Sequence, residues 1–391
     1  MPDAAGEISV EFRARARDIG ADLWRACFPP PLEGLFWYET LEESGLGDQF
    51  EFRYALIRAR GEPVGIAPCF IHDVPIALVA PRPVALGIGL VSRVFPRAGV
   101  QRTFFVGSPC SDEGTIGLVP GSDLAVLAAA LGGAMRDEAR REGASLVVFK
   151  DLPREARDAL AGPCSGLGYF PMASYPGTIA SLPPPDKQAY LRSLSHLRRH
   201  NLLKKLRRSA ESLPLVTTVV EHPSGPELEE INALFLRTYE KGRTKFERLG
   251  PPFFAAVAAR PESSFILQRD PRDGRLAAFM LVFHLGRRVI NKFIGLDYGR
   301  GDRAYLYFRL FDAALDLAYA RGATEIQSGQ TGYRAKLDLG HGLFPLFNLV
   351  RHRNRVVNAV YRAIGSRVSW ASLDPDLEAY LRTHPDRDLS R

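Results

Sequence analysis

Two halves of this chain follow the same predicted order of elements. Residues 52–71 read as two strands joined by a turn at Gly61, and residues 264–286 read as a second hairpin. Each hairpin precedes a strand that ends in a glycine-containing loop, then an amphipathic helix, a glycine and another strand. Such a strand–helix–strand unit forms a right-handed crossover. The repeat therefore predicts an α/β (α+β) protein of two similar domains, each a mixed central sheet flanked by helices.

The length and composition agree with a two-domain folded protein. The chain has 391 residues, of which 46% are hydrophobic and 24% are charged. A stretch rich in Pro, Gly and Ser at 174–185 places the boundary between domains 1–178 and 179–391. The net charge of +7 favours an anionic partner such as CoA, a nucleic acid or a negatively charged membrane surface.

An apolar insertion near residues 72–100 distinguishes the first half from the second. Its prolines and arginines interrupt the roughly 20 consecutive apolar residues that a membrane-spanning helix needs. One interpretation is a buried extension between the domains. The other is a flap that contacts a membrane or covers an acyl chain, with Arg82, Arg93 and Arg97 at lipid headgroups.

The start of the chain and its cysteines predict a cytoplasmic protein. The opening MPDAAGEISVEF has no basic segment followed by an apolar stretch, which argues against a secretory signal. Cys27, Cys69, Cys110 and Cys164 have neither metal-binding spacing nor the density of a disulfide scaffold. We therefore predict core thiols and no metal, and the insertion leaves open a peripheral contact with the inner face of the cytoplasmic membrane.

Residues 187–212 predict a strongly basic helix. Its apolar stripe comprises Tyr190, Leu194, Leu197, Leu202 and Leu206. Its opposite face carries Arg198, Arg199, Lys204, Lys205, Arg207 and Arg208. This face is either simply solvated or binds phosphates of CoA, tRNA or lipid, which would make the interaction sensitive to salt.

Four segments carry a resemblance to a known family: LRRHNLLKKLRRS, DGRLAAFMLVFHLG, FIGLDYGRGDRAYLYFRLFDAALDLAYARG and QTGYRAKLDLGHGLFPL. They make residues 52–355 similar to tandem GNAT proteins, including Fem-type peptidoglycan aminoacyl transferases and related bacterial N-acyltransferases. Bacterial ceramide synthases, which join a fatty acyl group from acyl-CoA to a sphingoid base, are among these relatives. The resemblance implies acyl-CoA as co-substrate and an amine as acceptor.

The resemblance also implies a phosphate-binding loop where the central strand of the second half ends. The cofactor-binding residues would be Gly299, Arg300, Gly301, Arg303 and Ala304. The glycines permit close backbone approach and the arginines supply positive charge. The strict Gln/Arg-x-x-Gly-x-Gly/Ala spacing of the family is absent, which keeps another acyl donor open.

Catalytic residues are predicted on both sides of the crossover helix. The resemblance makes Tyr333 the acid that protonates the leaving thiolate, and Lys336 would lower its pKa or hold phosphate. Asp297, at the opening of the loop, is the predicted base for the attacking amine. His284 and Glu325 are reserve candidates for the base.

Substrate-binding residues are predicted around the same site. Tyr239, Arg243 and Lys245 follow a helix that covers the acceptor side in the family, and they would recognise the amine or its polar head. Gln330 and His341 flank the predicted acid and would donate hydrogen bonds to the thioester oxygen. The first half, with proline and two acids in its loop, is predicted to be a degenerate unit that shapes the acceptor cleft.

These features together predict an acyl-CoA-dependent, amide-forming N-acyltransferase with an amphiphilic amine acceptor, a sphingoid base being one candidate. One alternative is a Fem-like transferase that moves an aminoacyl group from tRNA to a peptidoglycan precursor. The other alternative is a non-catalytic scaffold that binds lipid or a protein partner. No covalent enzyme intermediate is needed for transfer to an amine.

Overall fold

The computed structural model describes residues 8–75, 99–242, 247–301 and 304–390. Its strands are β1 (Ile8–Arg13), β2 (Glu51–Ala59), β3 (Glu62–Pro75), β4 (Val100–Val106), β5 (Gly117–Leu118), β6 (Leu146–Pro153), β7 (Phe170–Ala173), β8 (Gly177–Ser181), β9 (Val216–Val220), β10 (Ser263–Arg269), β11 (Leu276–Leu285), β12 (Arg288–Leu296), β13 (Glu325–Gln327), β14 (Gly342–Phe344) and β15 (Leu346–His352). Its helices are α1 (Ala21–Cys27), α2 (Leu35–Glu43), α3 (Leu124–Arg141), α4 (Arg154–Ser165), α5 (Lys187–Ser193), α6 (His196–Ser212), α7 (Gly225–Lys241), α8 (Pro251–Ala258), α9 (Leu306–Ala320), α10 (Tyr333–Asp338), α11 (Arg355–Gly365), α12 (Trp370–Leu373) and α13 (Pro375–Thr383).

Both predicted hairpins are present. Strand β2 pairs antiparallel with β3, and β10 pairs antiparallel with β11. Along β10, Phe265 and Leu267 face one hydrophobic cluster and Ile266 faces another. Because successive side chains point to opposite faces of a sheet, an apolar run is needed where both faces are covered.

One late strand returns to the first sheet. The first has the order β1-β2-β3-β4-β6-β15-β7, with β5 paired to β3, and the second has the order β14-β8-β13-β12-β11-β10-β9. Strand β15, from late in the chain, therefore lies between β6 and β7, and β8, from the link between the halves, lies between β13 and β14. The boundary at 178/179 stays a prediction, since the strands of the two sheets do not separate at any single position.

Each sheet contains a parallel pair that is joined at one end only. Pairing of β4 with β6 ends at Val106 and Phe149, and pairing of β12 with β13 ends at Ile290 and Gln327. Helices α3 and α9 connect the partners, as the right-handed crossover requires. Strand β12 continues to Leu296 beyond its last pair with β13. This end of the pair is the place where a ligand can enter the sheet.

The halves share a hydrophobic core. Trp24 and Trp37, from α1 and α2, belong to the same cluster as Phe253 of α8 and Phe283 of β11. The ring of Trp37 packs edge-on against Phe253 at 6.1 Å and against Phe283 at 5.2 Å. Burying aromatic rings on both sides fixes how the halves meet.

The predicted basic helix is two helices. Helix α5 ends at Ser193, Leu194 is extended, and the side chain of Ser195 caps α6 by accepting from the N–H of Arg198. The break turns Leu197 outward, where it is 68% exposed. The prediction of a single helix was therefore wrong, because a serine N-cap starts a new helix. The prediction that Leu197 belongs to the apolar stripe was also wrong.

The structure also bears on the expectations for the cysteines and for the apolar insertion. All four cysteines are buried and unpaired, which confirms core thiols. Most of the predicted insertion lies outside the described residues, which resume at Gly99. In the described part of the chain, no helix has both the length and the apolar character needed to cross a bilayer.

Candidate functional site

The backbone of the predicted phosphate loop is internally paired. The N–H of Gly299 donates to Oδ1 of Asp297 at 3.1 Å. The N–H groups of Arg300 and Ala304 donate to the carbonyl oxygens of Asp297 and Gly301, at 3.2 and 3.1 Å. These amides are therefore not free to hold an anion, which corrects the expectation of an open loop.

The positive charge of Arg300 in this loop is paired with carboxylates. The Nε of Arg300 donates to Asp297 at 3.0 Å, its Nη1 donates to Asp270, and its Nη2 lies 3.7 Å from Asp273. Three carboxylates thus neutralise the cation that was predicted to bind phosphate, and Asp297 is held by that contact. Arg303 lies outside the described residues. The assignment of the loop to a cofactor stays a prediction, and the residues described do not fit a pyrophosphate.

A bulge in β12 marks the open end of the parallel pair. Lys292 has no partner in the ladder with β11, between Asn291 and Phe293. A bulge re-aims side chains. The side chain of Lys292 is only 2% exposed, its ammonium lies 4.5 Å over the ring of Trp37, and it donates to Glu33 of the first half.

Asp112 of the first half and Lys336 of the second meet at the end of β13. A Cβ on Gly329 would lie 3.3 Å from Oδ1 of Asp112 and 3.5 Å from Nζ of Lys336. Gly329 also has a φ of +66°, in the left-handed region that favours glycine. No hydrogen bond or ion pair of either charged group is found within the described part of the chain. Asp112 lines a cleft between the halves, and the side chain of Lys336 is buried beside it.

Burial shifts the pKa values of Asp112 and Lys336 in directions that favour proton transfer. Burial raises the pKa of Asp112 above its usual range, against the charges of Lys292 and Lys336. Burial also lowers the pKa of Lys336 to about 8, against the charge of Asp112. Glu247 belongs to the same electrostatic cluster, and burial raises its pKa to about 7. A carboxylate with a raised pKa is a stronger base, and an ammonium with a lowered pKa is a stronger acid.

Hydrogen bonds to neighbouring strands hold the loop at Gly329 and the loop that carries Asp112. The hydroxyl of Thr178, in β8, donates to the carbonyl of Gly329 at 2.9 Å, and the backbone carbonyl of Thr178 accepts from the N–H of Ser328 at 3.1 Å. The N–H of Gly114 donates to the carbonyl of Asp151 at 2.8 Å. A Cβ on Gly114 would lie 1.8 Å from the neighbouring carbonyl oxygen of β6, so only glycine permits this approach.

A narrow cleft opens beside Asp112, between the halves. Its charged lining comprises Glu33, Asp112, Glu113, Arg288 and Lys292. Both cations are paired across the halves, Lys292 with Glu33 and Arg288 with Glu113 at 3.5 Å. Of the three carboxylates in this lining, Asp112 is the one without a paired cation. Its position suits the binding of a positively charged amine.

The opening in the first sheet is filled by one of its own side chains. Lys150 donates from Nζ to the carbonyl of Ser111 at 3.0 Å and pairs with Asp151 at 2.5 Å. A Cβ on Gly107 would lie 2.8 Å from Cγ of Lys150. The space beside that strand end is therefore occupied, which favours the second half as the donor side.

Tyr333 is buried and already bonded. Its hydroxyl donates to the carbonyl of Pro176 at 2.8 Å, and the side chain is 0% exposed. Burial raises the pKa of this hydroxyl well above its usual range. Its ring packs with Trp370 and Leu377 in a small cluster.

For Tyr333→Phe we expect a structural effect. Loss of one buried hydrogen bond should lower the free energy of unfolding by about 1 kcal/mol. Turnover should stay within about threefold of the wild type, because the hydroxyl is committed to Pro176. Chemical denaturation and steady-state kinetics measure the two effects. A folded variant with turnover reduced about a hundredfold would restore Tyr333 as the acid.

The reserve bases have structural partners. The Nε2 of His284 lies 2.8 Å from the hydroxyl of Ser264, and burial lowers the pKa of His284 to about 4, so its ring is neutral at pH 7. Glu325 accepts from Nε of Arg288 at 2.7 Å. Each interaction joins neighbouring strands of the second sheet.

The predicted donors to the thioester oxygen are also engaged. The amide of Gln330 donates to Asp151 at 3.2 Å and to the carbonyl of Tyr175 at 2.9 Å. The Nδ1 of His341 donates to the carbonyl of Lys336 at 3.1 Å, so Nε2 accepts from the hydroxyl of Ser328 at 3.0 Å. Both side chains hold the loop around Gly329.

The predicted acceptor residues are described only in part. The ring of Tyr239 packs 6.1 Å from that of Phe235, against the shared core. Arg243 and Lys245 lie outside the described residues, so their role stays a prediction.

Reasoning from the sequence missed Asp112 and Glu33. Asp112 stands in SPCSDEG, directly after the central strand of the first half, at the place that corresponds to the predicted loop of the second. The repeat itself was thus a signal, because equivalent loops of related halves can meet at their interface. Nothing in the sequence around Glu33 distinguishes it from a surface acid.

The fold, two mixed sheets flanked by helices, is similar to that of solved structures with a tandem GNAT-like architecture. The structure of FemX aligns with a TM-score of 0.57 at 14% sequence identity, over 90% of this chain and 100% of that chain. A conserved protein of unknown function from Bacteroides thetaiotaomicron aligns with a TM-score of 0.51 at 12% identity, over 88% and 100% of the two chains. A tandem GNAT protein from the clavulanic acid biosynthesis pathway aligns with a TM-score of 0.49 at 15% identity, over 89% and 99%. No protein-family model and no curated protein sequence matches the chain.

Proposed function

We propose that this protein is an acyl-group transferase that forms an amide at the cleft between its halves. One observation carries the proposal: Asp112 and Lys336, contributed by different halves, border the same glycine at the open end of β12 and β13. Their pKa values are shifted in the directions that a base and an acid need.

The pair supplies the proton transfers of the reaction. Asp112 accepts a proton from the ammonium of the acceptor, so that the free amine attacks the carbonyl carbon of the donor. The charge of Lys336 stabilises the oxyanion that develops, and its proton is available to the leaving group. The new C–N bond forms as the bond from the carbonyl carbon to the leaving group breaks, and the nitrogen loses its second proton to water. Proton exchange with water then returns Asp112 and Lys336 to their starting states, and no covalent link to the protein is made.

We propose acyl-CoA as the first donor to test and an amphiphilic amine as the acceptor. The described part of the phosphate loop does not fit the donor, so no step of the proposal depends on it. For the acceptor, apolar Pro31, Leu32 and Ile290 lie beside the acids of the cleft. A wall that is both apolar and acidic suits an amine attached to a hydrophobic group, and a sphingoid base is one such acceptor.

Substrate profiling tests the proposal directly. The full chain is incubated with acyl-CoAs of several chain lengths and with amines that include a sphingoid base. Released thiol and amide product are measured together, by a colorimetric thiol assay and by mass spectrometry. Equal amounts of both products are expected. Thiol release without amide would identify a hydrolase and contradict the proposal.

For Asp112→Asn we expect a loss of about a hundredfold in kcat/KM, since an amide cannot accept the proton of the ammonium. Asp137→Asn is a matched control, because Asp137 lies on α3 in a surface pair with Arg136. The variant Asp297→Asn, at the base predicted from the sequence, is measured beside Asp112→Asn for comparison. A larger loss for Asp297→Asn than for Asp112→Asn would contradict the assignment of Asp112.

A Fem-like transfer from aminoacyl-tRNA is the second candidate. It is favoured by the outward face of α6, where Arg207 and Arg208 are exposed beside the partly exposed Arg198, Arg199 and Lys204. Ribonuclease-sensitive transfer of an amino acid, without thiol release from acyl-CoA, would support this candidate. Activity with neither donor would leave the non-catalytic scaffold.

A further inference from the structure

Helix α11 presents an apolar stripe to the outside of the molecule. Val356, Val360 and Ile364 are 74%, 51% and 37% exposed. They follow one another at intervals of four residues, so they lie on one side of the helix, and the exposed Ala359 and Ala363 adjoin them. An apolar stripe of a surface helix normally faces the core. Here it faces away.

Polar contacts hold α11 in this orientation. The inward-facing Asn358 accepts from the N–H of His352 at 2.7 Å and donates to the carbonyl of Gly168 at 2.8 Å. The hydroxyl of Tyr361 donates to Gln101 at 3.1 Å. Because hydrogen bonds fix the inner side, the outer stripe is not the product of a loosely attached helix.

The flanks of the stripe carry only positive charge. The cations are Arg351, Arg353, Arg355, Arg362 and Arg367. Residues 346–369 contain no Asp or Glu, and no carboxylate of the described residues pairs with these arginines within 4.0 Å. An apolar stripe with unpaired arginines beside it is the composition of helices that lie in a membrane interface.

The apolar insertion is rooted beside this helix. Pro75 pairs with Val100 across β3 and β4, next to Gln101, which binds Tyr361 of α11. The residues between these strand ends, 76–98, contain three arginines and no acid.

We propose that the outer face of α11 docks on an anionic lipid bilayer. The stripe of Val356, Val360 and Ile364 enters the boundary between headgroups and acyl chains, while the flanking arginines contact lipid phosphates. RNA would match the arginines but would leave the apolar stripe in water. This inference is independent of the proposed chemistry, since binding to vesicles is measured without any turnover.

Vesicle sedimentation with the full chain tests the surface. The protein is expected to sediment with phosphatidylglycerol–phosphatidylcholine vesicles, to bind pure phosphatidylcholine more weakly, and to be released by added salt. The double variant Val356→Asp/Val360→Asp should bind at least about tenfold more weakly, because two carboxylates oppose both insertion and the surface potential. Val126→Asp on α3 is the matched control, since Val126 is 60% exposed on another helix.

Four outcomes overturn the inference. The first is absence of sedimentation by the wild type, and the second is equal binding by the wild type and the double variant, each with unchanged circular dichroism. The third is RNA binding that the double variant loses while vesicle binding persists. The fourth is a concentration-dependent dimer that the double variant abolishes, seen in sedimentation velocity, without vesicle binding; it would identify a second copy of this chain as the occupant.

Discussion

Replacing Lys336 by Met is expected to lower kcat/KM about a thousandfold, the largest effect on activity that the structure predicts. The ammonium of Lys336 borders Gly329 together with Asp112, so its removal leaves the developing oxyanion without its nearest positive charge. Met retains the length and apolar character of the buried chain, which is 6% exposed, and the fold should tolerate it. Steady-state kinetics with the substrates found by profiling measures the loss.

The pH profile separates this role from a structural one. The pKa of Lys336 is lowered to about 8, and the reaction needs its protonated form. Wild-type kcat/KM should therefore fall as the pH rises through about 8, and the residual activity of Lys336→Met should lack that decline. Lys241→Met, at the exposed end of α7, is the control for loss of a cation. A variant that keeps the alkaline decline would show that another group titrates.

Replacing Lys292 by Met is expected to cost about 3 kcal/mol of unfolding free energy, the largest effect on stability. Lys292 is 2% exposed and Glu33 is 12% exposed, and their contact joins the halves beside Trp37. Removing the cation leaves a nearly buried carboxylate whose one remaining donor, among the residues described, is the hydroxyl of Ser111. Urea unfolding followed by tryptophan fluorescence measures the loss.

A double-mutant cycle shows whether the pair itself is responsible. The variant Glu33→Gln/Lys292→Met should regain most of the lost stability, because no unpaired charge then remains buried. The surface pair of Arg382 and Glu378, with side chains 72% and 54% exposed, gives the control. Arg382→Met should change stability by less than about 0.5 kcal/mol. Strictly additive effects of the Glu33 and Lys292 substitutions would contradict a coupled buried pair.

Strands β8 and β15 link the fold to the site. Strand β8 completes the second sheet and hydrogen-bonds the loop at Gly329 through Thr178, and β15 completes the first sheet. The loop that carries Asp112 is held against β6, which pairs with β15. Strand β15 of the second half thus supports the loop that carries Asp112, and β8, from the link between the halves, supports the loop at Gly329 beside Lys336.

Predictions from local patterns agree well with the structure. The hairpins around Phe52 and Phe265, the crossover helices and the mixed sheets follow from spacing and periodicity, which are properties of neighbouring residues. The break before α6 was missed because the cations and leucines continue on both sides of Ser195 with helical spacing. The extended backbone at Leu194 and the capping hydrogen bond of Ser195 distinguish two helices from one.

The individual site residues depend on contacts that sequence spacing does not contain. Arginine commonly binds phosphate, but Asp270 and Asp297 neutralise Arg300 in the fold. Tyr333 occupies the expected position on the chain, and its hydroxyl is turned to Pro176. Lys336 was predicted from the sequence as a residue that lowers the pKa of Tyr333 or holds phosphate, and this role stays a prediction. Its neighbour Asp112 was not predicted, because the two are brought together only when the halves pack.

The sequence by itself determined the repeated order of strands and helices, the two mixed sheets and the basic, cysteine-poor character of the chain. These properties depend on periodicity and composition, which act over a few residues. The tertiary structure alone decided which charges are paired, which strands change sheets and which carboxylate meets Lys336. Those outcomes depend on burial and on contacts between distant segments, and burial is also what shifts the pKa values of Asp112 and Lys336.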